Sequence, residues 1–293
     1  MTFEKATRRK AKLRLALTGV SGAGKTLGAL YLAYGVAGDW DKIALIDTEH
    51  ERARFYASRT DLAIPTGEFR WAALEPPYSP DRYIEYARVA CDVVGPDGVV
   101  IIDSLSHAWT KDGGVMDIKD QIAESPKENG FTAWNKAGKC QSKLIDALMS
   151  LDCHTIVTMR SKMDYVVEED DRGRKAPRKV GLAPVQRDDT EYEFDIVLDV
   201  GRSHRATASK DTTFLDAFDG VITPGLGVQL RDWLDNGVAP TRCRECGKII
   251  TPTATKSAQD VIDGTTKKMG APHCMTCYGL WVNENERAKA VSA

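Results

Sequence analysis

Residues 15–26 read Leu-Ala-Leu-Thr-Gly-Val-Ser-Gly-Ala-Gly-Lys-Thr, and this stretch decides the fold of the chain. Its apolar start predicts a buried strand, the pattern Gly-x-x-x-x-Gly-Lys-Thr occupies residues 19–26, and a helical pattern covers residues 25–36. A strand, a glycine loop and a helix in this order are the context of a P-loop. A glycine-rich turn with a chance lysine would lack these flanking elements, so the stretch predicts that the chain binds ATP.

Backbone geometry explains why a P-loop needs these residue types. Glycines let successive N–H groups point inward at a phosphate, beside the positive N-terminal end of the following helix. In this arrangement Lys25 reaches the β- and γ-phosphates, and the Thr26 hydroxyl binds Mg²⁺. The loop residues predicted to bind the nucleotide are Gly19, Val20, Ser21, Gly22, Ala23, Gly24, Lys25 and Thr26.

The composition is that of an ordinary soluble protein, with 28% charged and 42% hydrophobic residues in a chain of 293. No apolar run approaches the ~20 residues of a membrane span, and the basic N-terminus lacks the apolar core of a secretory signal. We therefore expect no membrane association and a cytoplasmic location, or the cytosol of a host cell. The net charge of −2 excludes a uniformly basic protein, so any contact with nucleic acid needs a local basic patch.

Strands and helices alternate along the chain. The predicted strands cover residues 12–18, 43–47, 69–74, 99–103, 155–158 and 194–200, and the predicted helices cover residues 25–36, 80–94, 134–151 and 226–234. This alternation predicts an α/β fold, a mainly parallel sheet with helices on both faces. We expect residues 1–11 to be a loose basic arm, residues 12–235 an ATPase domain, and residues 236–293 a small second domain.

Two acidic residues follow predicted strands. Asp103 ends the apolar run at residues 99–102, as in a Walker B motif, and would bind Mg²⁺ opposite Thr26, although an aspartate there can also cap the next helix. Glu49 lies just beyond the strand at residues 43–47, where ligands bind in parallel sheets, and would activate the attacking water. A solvated Glu49, with Asp47 as the base instead, is the alternative.

The residues 19–26, 47–50 and 99–104 together resemble the RecA-type recombinase ATPases. The resemblance covers residues 12–235, and it implies a RecA-like fold in which Glu49 matches the catalytic glutamate of that family. It further implies Mg²⁺-dependent ATP hydrolysis stimulated by DNA, and assembly of identical subunits into a filament or a ring.

Two later stretches narrow this resemblance. Gly-Leu-Ala-Pro-Val-Gln-Arg at residues 181–187 and Tyr-Glu-Phe-Asp at residues 192–195 are similar to compact RecA-like ATPases that bacteriophages encode beside annealing and recombination genes. The implied partners are single-stranded DNA and a phage annealing or single-strand-binding protein. The implied location is then the cytosol of the host cell.

The resemblance fails at residues 159–162. RecA ends this strand with a polar amide sensor, whereas this chain has Met-Arg-Ser-Lys. Arg160 or Lys162 could sense the γ-phosphate instead, within one subunit or across a subunit boundary, or form an ordinary surface ion pair. With Lys25 and Glu49, Arg160 is therefore a candidate catalytic residue.

Residues 168–179 are strongly charged. Four acids are followed by five basic residues, Arg172, Arg174, Lys175, Arg178 and Lys179. Apolar residues on both sides predict a β-hairpin with a charged tip. The tip could contact DNA, supply an arginine finger to a neighbouring subunit, or be a solvated turn whose charges cancel.

Four of the seven cysteines form two C-x-x-C pairs near the C-terminus, Cys243 with Cys246 and Cys274 with Cys277. They predict one tetrahedral Zn²⁺ in a zinc ribbon, each pair forming a knuckle, with an extra loop or short helix between the pairs. Four thiolates leave no open position, so the zinc would be structural and would supply folding energy to a short tail. His273 could replace one cysteine.

The leading hypothesis is an ATP-hydrolysing protein of phage DNA recombination that binds single-stranded DNA. A hexameric DNA motor or loader, and a nucleotide switch that recruits a protein partner, are the alternatives. A small-molecule kinase is disfavoured, because no lid is recognisable and the position of Glu49 suits activation of water.

Overall fold

The computed structural model describes residues 5–125, 129–169 and 175–291. The chain divides into two compact units, Lys12–Trp233 and Met1–Ala11 with Leu234–Ala293. Within the described residues, no helix combines the length and the apolar composition that crossing a membrane requires.

The larger unit contains a nine-stranded, mostly parallel sheet. Its strands are β1 (Arg14–Gly19), β2 (Ile43–Asp47), β3 (Arg70–Ala73), β4 (Val99–Asp103), β5 (His154–Glu169), β6 (Lys175–Pro184), β7 (Ile196–Val200), β8 (Arg205–Asp211) and β9 (Asp219–Val221). The strand order is β3-β2-β4-β5-β1-β7-β8-β9, and β6 pairs with β5. Pairs from β3 to β7 along this order are parallel, whereas β8 and β9 join in antiparallel fashion. The predicted α/β fold is confirmed.

The residues that the structure describes contain eight α-helices. They are α1 (Lys25–Ala37), α2 (Pro80–Val94), α3 (His107–Thr110), α4 (Val115–Ala123), α5 (Gly130–Met149), α6 (Pro224–Asp235), α7 (Ala258–Met269) and α8 (Met275–Val291). The bounds of α2 match the sequence pattern, because Pro80 opens the helix and Gly95, which has a positive φ of 72°, ends it. In contrast, α5 begins four residues before its predicted start, because Asn129 and Thr132 form a capping box there.

Both faces of the sheet are covered. Every residue of β1, β2 and β4 is buried, and successive residues of a strand point to opposite faces. On one face Ile46 belongs to a cluster with Tyr83 of α2 and Leu144 of α5. On the other face α1 packs against β1, and a Cβ atom on Gly28 would lie at an ordinary contact distance of 3.7 Å from Leu17 Cδ1. Strands buried on both faces explain why their sequences show no polar alternation.

The predicted hairpin is present, since β5 and β6 pair in antiparallel fashion from Ser161 opposite Pro184 to Glu169 opposite Lys175. The residues between the two strands, including Arg172 and Arg174, lie outside the described residues. In the described part of the ladder, Glu169 of the acidic run is the register partner of Lys175 of the basic run.

The smaller unit contains α7, α8 and the N-terminal arm. The arm was expected to be loose, but Lys10 N donates to Val238 O over 3.1 Å and Val238 N donates to Arg8 O over 3.0 Å. Lys10 also forms an exposed ion pair with Asp235 at 3.0 Å. The arm therefore pairs with the segment that follows α6.

Candidate nucleotide-binding site

The glycine loop lies between β1 and α1, and two of its glycines have no room for a side chain. Gly19 has a φ of +150°, and a Cβ atom there would lie 2.4 Å from Val200 O. Gly24 has a φ of +91°, and its Cβ would lie 2.9 Å from the Nδ1 atom of His204. Val200, the last residue of β7, and His204, which follows it, thus approach the loop closely and favour glycine at both positions.

The first turn of α1 presents Lys25 and Thr26 to this loop. Lys25 is buried, and its ammonium donates to Gly19 O at 2.8 Å and Val20 O at 3.0 Å. Burial lowers the pKa of Lys25, although the carboxylates of Asp103 and Glu49 oppose this shift. The lysine therefore lies where a P-loop lysine would meet phosphate oxygens.

Thr26 and Asp103 are adjacent, as a shared metal site requires. Thr26 Oγ1 donates to Asp103 Oδ2 over 2.5 Å, and Thr158 donates to the other carboxylate oxygen. Asp103 is buried, which raises the pKa of its carboxyl group although both hydroxyl donors oppose the shift. A hydroxyl and a carboxylate oxygen at this distance fit neighbouring positions around Mg²⁺, which prefers oxygen ligands.

Asp47, at the end of β2, and Glu49, just after it, have different surroundings. Asp47 is buried, and its carboxylate accepts hydrogen bonds from Glu49 N at 2.6 Å, Ala53 N at 3.1 Å and Trp71 Nε1 at 3.2 Å. Asp47 therefore braces the loop after β2 and is occupied by protein donors. Glu49, the residue that this loop positions, lines the nucleotide cleft.

Arg160 binds Glu49 with both ends of its guanidinium group. The Nε atom donates to Glu49 Oε1 over 2.7 Å, and Nη2 contacts Oε2. Burial alone would raise the pKa of Glu49, but the hydrogen bonds and charge of Arg160 outweigh it and hold that pKa below its ordinary value. A carboxylate held in this way is a weaker base than a free one.

His107, which sequence reasoning missed, lies behind Glu49. The side chain is buried, and its Nε2 atom lies 3.8 Å from Glu49 Oε1. Neither ring nitrogen has a hydrogen-bond partner among the described residues. Burial lowers the pKa of His107 to about 4, so the ring is neutral at pH 7.

One cleft of about 270 Å³ brings the predicted residues together. Its lining includes the predicted residues Ser21, Gly22, Gly24, Lys25, Thr26, Glu49, Asp103 and Arg160. Gly19, Val20 and Ala23 belong to the loop but not to this lining. Lys162, the other candidate γ-phosphate sensor, lines a different cavity.

Three further cleft residues were not predicted. Arg52, Phe55 and Tyr56 lie on a 3₁₀ helix that follows Glu49. A hydrogen bond from Ala53 N to Asp47 Oδ2 links this helix to the end of β2. The only signal in the sequence is that these residues directly follow the catalytic candidate.

The four C-terminal cysteines lie together in the smaller unit. Their sulfur atoms are all within 4.8 Å of one another, and the Cys246 and Cys274 sulfurs are 3.7 Å apart. Sulfur atoms around a tetrahedral zinc with Zn–S bonds of ~2.3 Å are separated by about 3.8 Å, so this cluster fits Zn²⁺. His273 is not part of the cluster, and its Nδ1 atom contacts Ala271 O at 2.8 Å.

The two cysteine pairs differ in structure. Cys243 and Cys246 lie on a turn where Gly247 N donates to Cys243 O over 2.9 Å. The expected second knuckle is wrong, because Cys274 directly precedes α8 and Cys277 lies in its first turn. The expected extra helix between the pairs is α7. The cluster therefore joins a turn to the N-terminus of a helix.

A family model described as an AAA domain matches residues 11–217 of the chain. This segment includes the entire nucleotide cleft and ends before the four cysteines. No curated protein matches the chain.

Proposed function

This chain belongs to the AAA domain family, and we propose that it is a RecA-like ATPase of phage DNA recombination that works in the host cytosol. Membership of this family indicates nucleotide binding and hydrolysis. The observation that carries the site assignment is that Lys25, Thr26, Glu49 and Asp103, from three separate strand ends, line one cleft.

In the proposed reaction, loop N–H groups and Lys25 bind the phosphates, while Thr26 and Asp103 hold Mg²⁺. The metal would neutralise charge that develops on the transferred phosphoryl group. Glu49 would orient the attacking water and accept its proton.

Arg160 gives this reaction a switch. While it holds Glu49, the glutamate is a weak base. A γ-phosphate carries more negative charge than one carboxylate and would draw the guanidinium away. Glu49 is then free to accept a proton only when a triphosphate is bound, which ties hydrolysis to the presence of substrate.

Steady-state phosphate release tests the site. Lys25→Ala should abolish hydrolysis, and Glu49→Gln should retain ATP binding but lower kcat by about 10²-fold or more. Glu51→Gln, an exposed neighbour with the same chemical change, should behave as wild type. Normal turnover by Glu49→Gln would show that another group activates the water.

We further propose that the β5–β6 hairpin contacts single-stranded DNA. In the register of the ladder, Arg178 pairs with Val166 and Lys179 with Tyr165, two residues that carry no negative charge at neutral pH. Positive charge that is not cancelled locally is what an acidic protein needs to hold a polyanion.

A quadruple variant tests this contact, with Arg174, Lys175, Arg178 and Lys179 replaced by Gln. DNA binding should weaken, its log–log salt slope should flatten by about 0.7 per lost phosphate contact, and basal hydrolysis should persist without stimulation by DNA. An arginine finger in the hairpin would give the reverse, with basal hydrolysis lost and DNA binding intact. If neither quantity changes, the hairpin has neither role.

Assembly of identical subunits is part of the proposal and rests on the RecA-like resemblance at residues 19–26, 47–50 and 99–104. A phage annealing or single-strand-binding protein as partner rests on the resemblance at residues 181–187 and 192–195. Electron microscopy with an ATP analogue and single-stranded DNA should show filaments. Closed rings would favour a motor or loader, and monomers would favour a nucleotide switch.

The cysteine cluster would hold one structural Zn²⁺. The separation of the sulfur atoms supports this, and four thiolates leave no position for a substrate.

A further inference from the structure

A second cavity, of about 790 Å³, shares no lining residue with the nucleotide cleft. Residues of α5, Lys162 on β5 and the segment after β6 form its walls. We propose that this cavity binds a guanidinium group from the basic segment 172–179 of a second copy of the chain. The choice of a second copy rests on the proposed assembly, whereas the choice of a cation rests on the lining alone.

One wall of the cavity is aromatic. Trp109 and Trp134 stack with ring centroids 6.0 Å apart and planes 28° apart, and Trp134 is 43% exposed. Lys119 Nζ lies 5.4 Å from the centroid of the Trp134 ring, so this pair already attracts a cation of the same chain. Arginine is the cation that aromatic faces bind most often.

The rim of the cavity is acidic. Four carboxylates line it, those of Asp146, Asp188, Asp189 and Glu193. In the part of the chain that the structure describes, none of the four forms an ion pair. Two basic residues, Lys162 and Arg187, also line the cavity, so negative charge is in excess. This balance favours a cation and disfavours the phosphates of a nucleic acid.

A buried acceptor in the lining lacks a donor. Gln141 is 1% exposed, and its Nε2 atom donates to Gln186 Oε1 over 2.9 Å. Its Oε1 atom is buried with no hydrogen-bond partner among the described residues. Buried polar atoms are nearly always paired, and a guanidinium group offers five N–H donors. A planar cation is therefore the one ligand that suits the carboxylates, the indole rings and this amide oxygen.

The charge of residues 172–179 and the length of the β5–β6 hairpin suggest which group occupies the cavity. Residues 172–179 contain five basic residues in eight. The β5–β6 ladder runs from Ser161, beside the cavity residue Lys162, to Glu169. Eight strand steps carry the distal end about 26 Å away from this base. Lys175, opposite Glu169 at the distal end, is therefore far from the cavity of its own chain, and the basic segment of a neighbouring copy is the proposed occupant.

Fluorescence anisotropy with a labelled peptide of residues 172–179 and the full-length protein tests the proposal at low salt. The peptide should bind, and a peptide with Gln at its five basic positions should not. Replacing Asp146→Asn and Asp188→Asn together should weaken binding about 3- to 30-fold, the combined effect of two exposed ion pairs. The pair Asp92→Asn and Asp97→Asn, exposed and outside the cavity, makes the same charge change and should leave binding unchanged.

Several outcomes would overturn the proposal. If both pairs of Asp→Asn variants weaken peptide binding equally, the peptide is attracted by the overall charge of the protein and does not bind in the cavity. Binding of an unrelated arginine-rich peptide but not of residues 172–179 would remove the second copy as occupant. Tighter binding of a thymidine 20-mer to the Asp146 and Asp188 variant, with peptide binding unchanged, would make the cavity a nucleic-acid site. The assay contains neither ATP nor DNA and keeps the protein dilute, because a neighbouring copy bound in an assembly would compete with the peptide for the cavity.

Discussion

Replacing Arg160→Gln removes the guanidinium group that holds Glu49. The pair has two charge-assisted hydrogen bonds, and the Glu49 side chain is only 15% exposed. Breaking a fully buried ion pair costs roughly 3–5 kcal/mol, whereas an exposed pair is worth about 0–1 kcal/mol. Because the Arg160 side chain is 40% exposed, solvent screens the pair, and we expect about 1–2 kcal/mol of lost stability at pH 7.5.

The pH dependence of this loss identifies Glu49 as its source. Arg160 holds the pKa of folded Glu49 below its unfolded value, so the stabilisation is complete above about pH 4.5 and is lost as the pH falls below it. In the variant, burial raises the pKa of Glu49 instead. The difference in stability between the two proteins should therefore narrow from pH 5 toward pH 4.

Urea unfolding monitored by circular dichroism measures this difference, with Arg205→Gln as the control. Arg205 pairs with Asp219 at the surface, so its loss should cost about 0.5 kcal/mol or less. The ion pair would be refuted if Arg160→Gln lost no more stability than Arg205→Gln. It would also be refuted if the loss of stability did not change with pH. If Arg160 also meets the γ-phosphate, kcat should fall about 10²-fold. Unchanged kcat with reduced stability would limit Arg160 to a structural role.

Three further predictions concern groups around the cleft and the cysteines. Asp47→Asn should destabilise the protein by about 1–3 kcal/mol in urea unfolding, because an amide group replaces an oxygen that accepts two N–H donors. The stability of the wild-type protein should fall by at most about 3 kcal/mol as the pH drops from 6.5 toward 4. The reason is that His107 binds a proton in the unfolded chain but not in the folded one, so His107→Leu should remove this pH dependence. Metal analysis should find one zinc per chain, lost in the double variant Cys243→Ser and Cys246→Ser but retained in Cys140→Ser.

Much of the fold could be read from local patterns. The strands at residues 43–47 and 99–103 and the helix at residues 80–94 have the predicted bounds, because each is a contiguous apolar or periodic run with its own start and stop signals. Strands β8 and β9 were missed. β8 is mostly polar with one buried residue, and β9 has only three residues, so no hydrophobic pattern marks either; β8 forms by pairing with β7, and β9 by pairing with β8.

By itself the sequence determined the P-loop, the metal-binding candidates and the two C-x-x-C pairs, because each depends on residue types at short spacing. Only the tertiary structure shows that Asp47 is occupied by protein donors while Glu49 lines the cleft, since one of those donors is Trp71, which a neighbouring strand supplies. It also decided the pairing of Arg160 with Glu49, 111 residues apart in the chain. The register of β5 beside β1 places Arg160 next to Gly19 at the mouth of the glycine loop. Contacts of this kind depend on how distant strands align, and no local pattern of residues encodes that alignment.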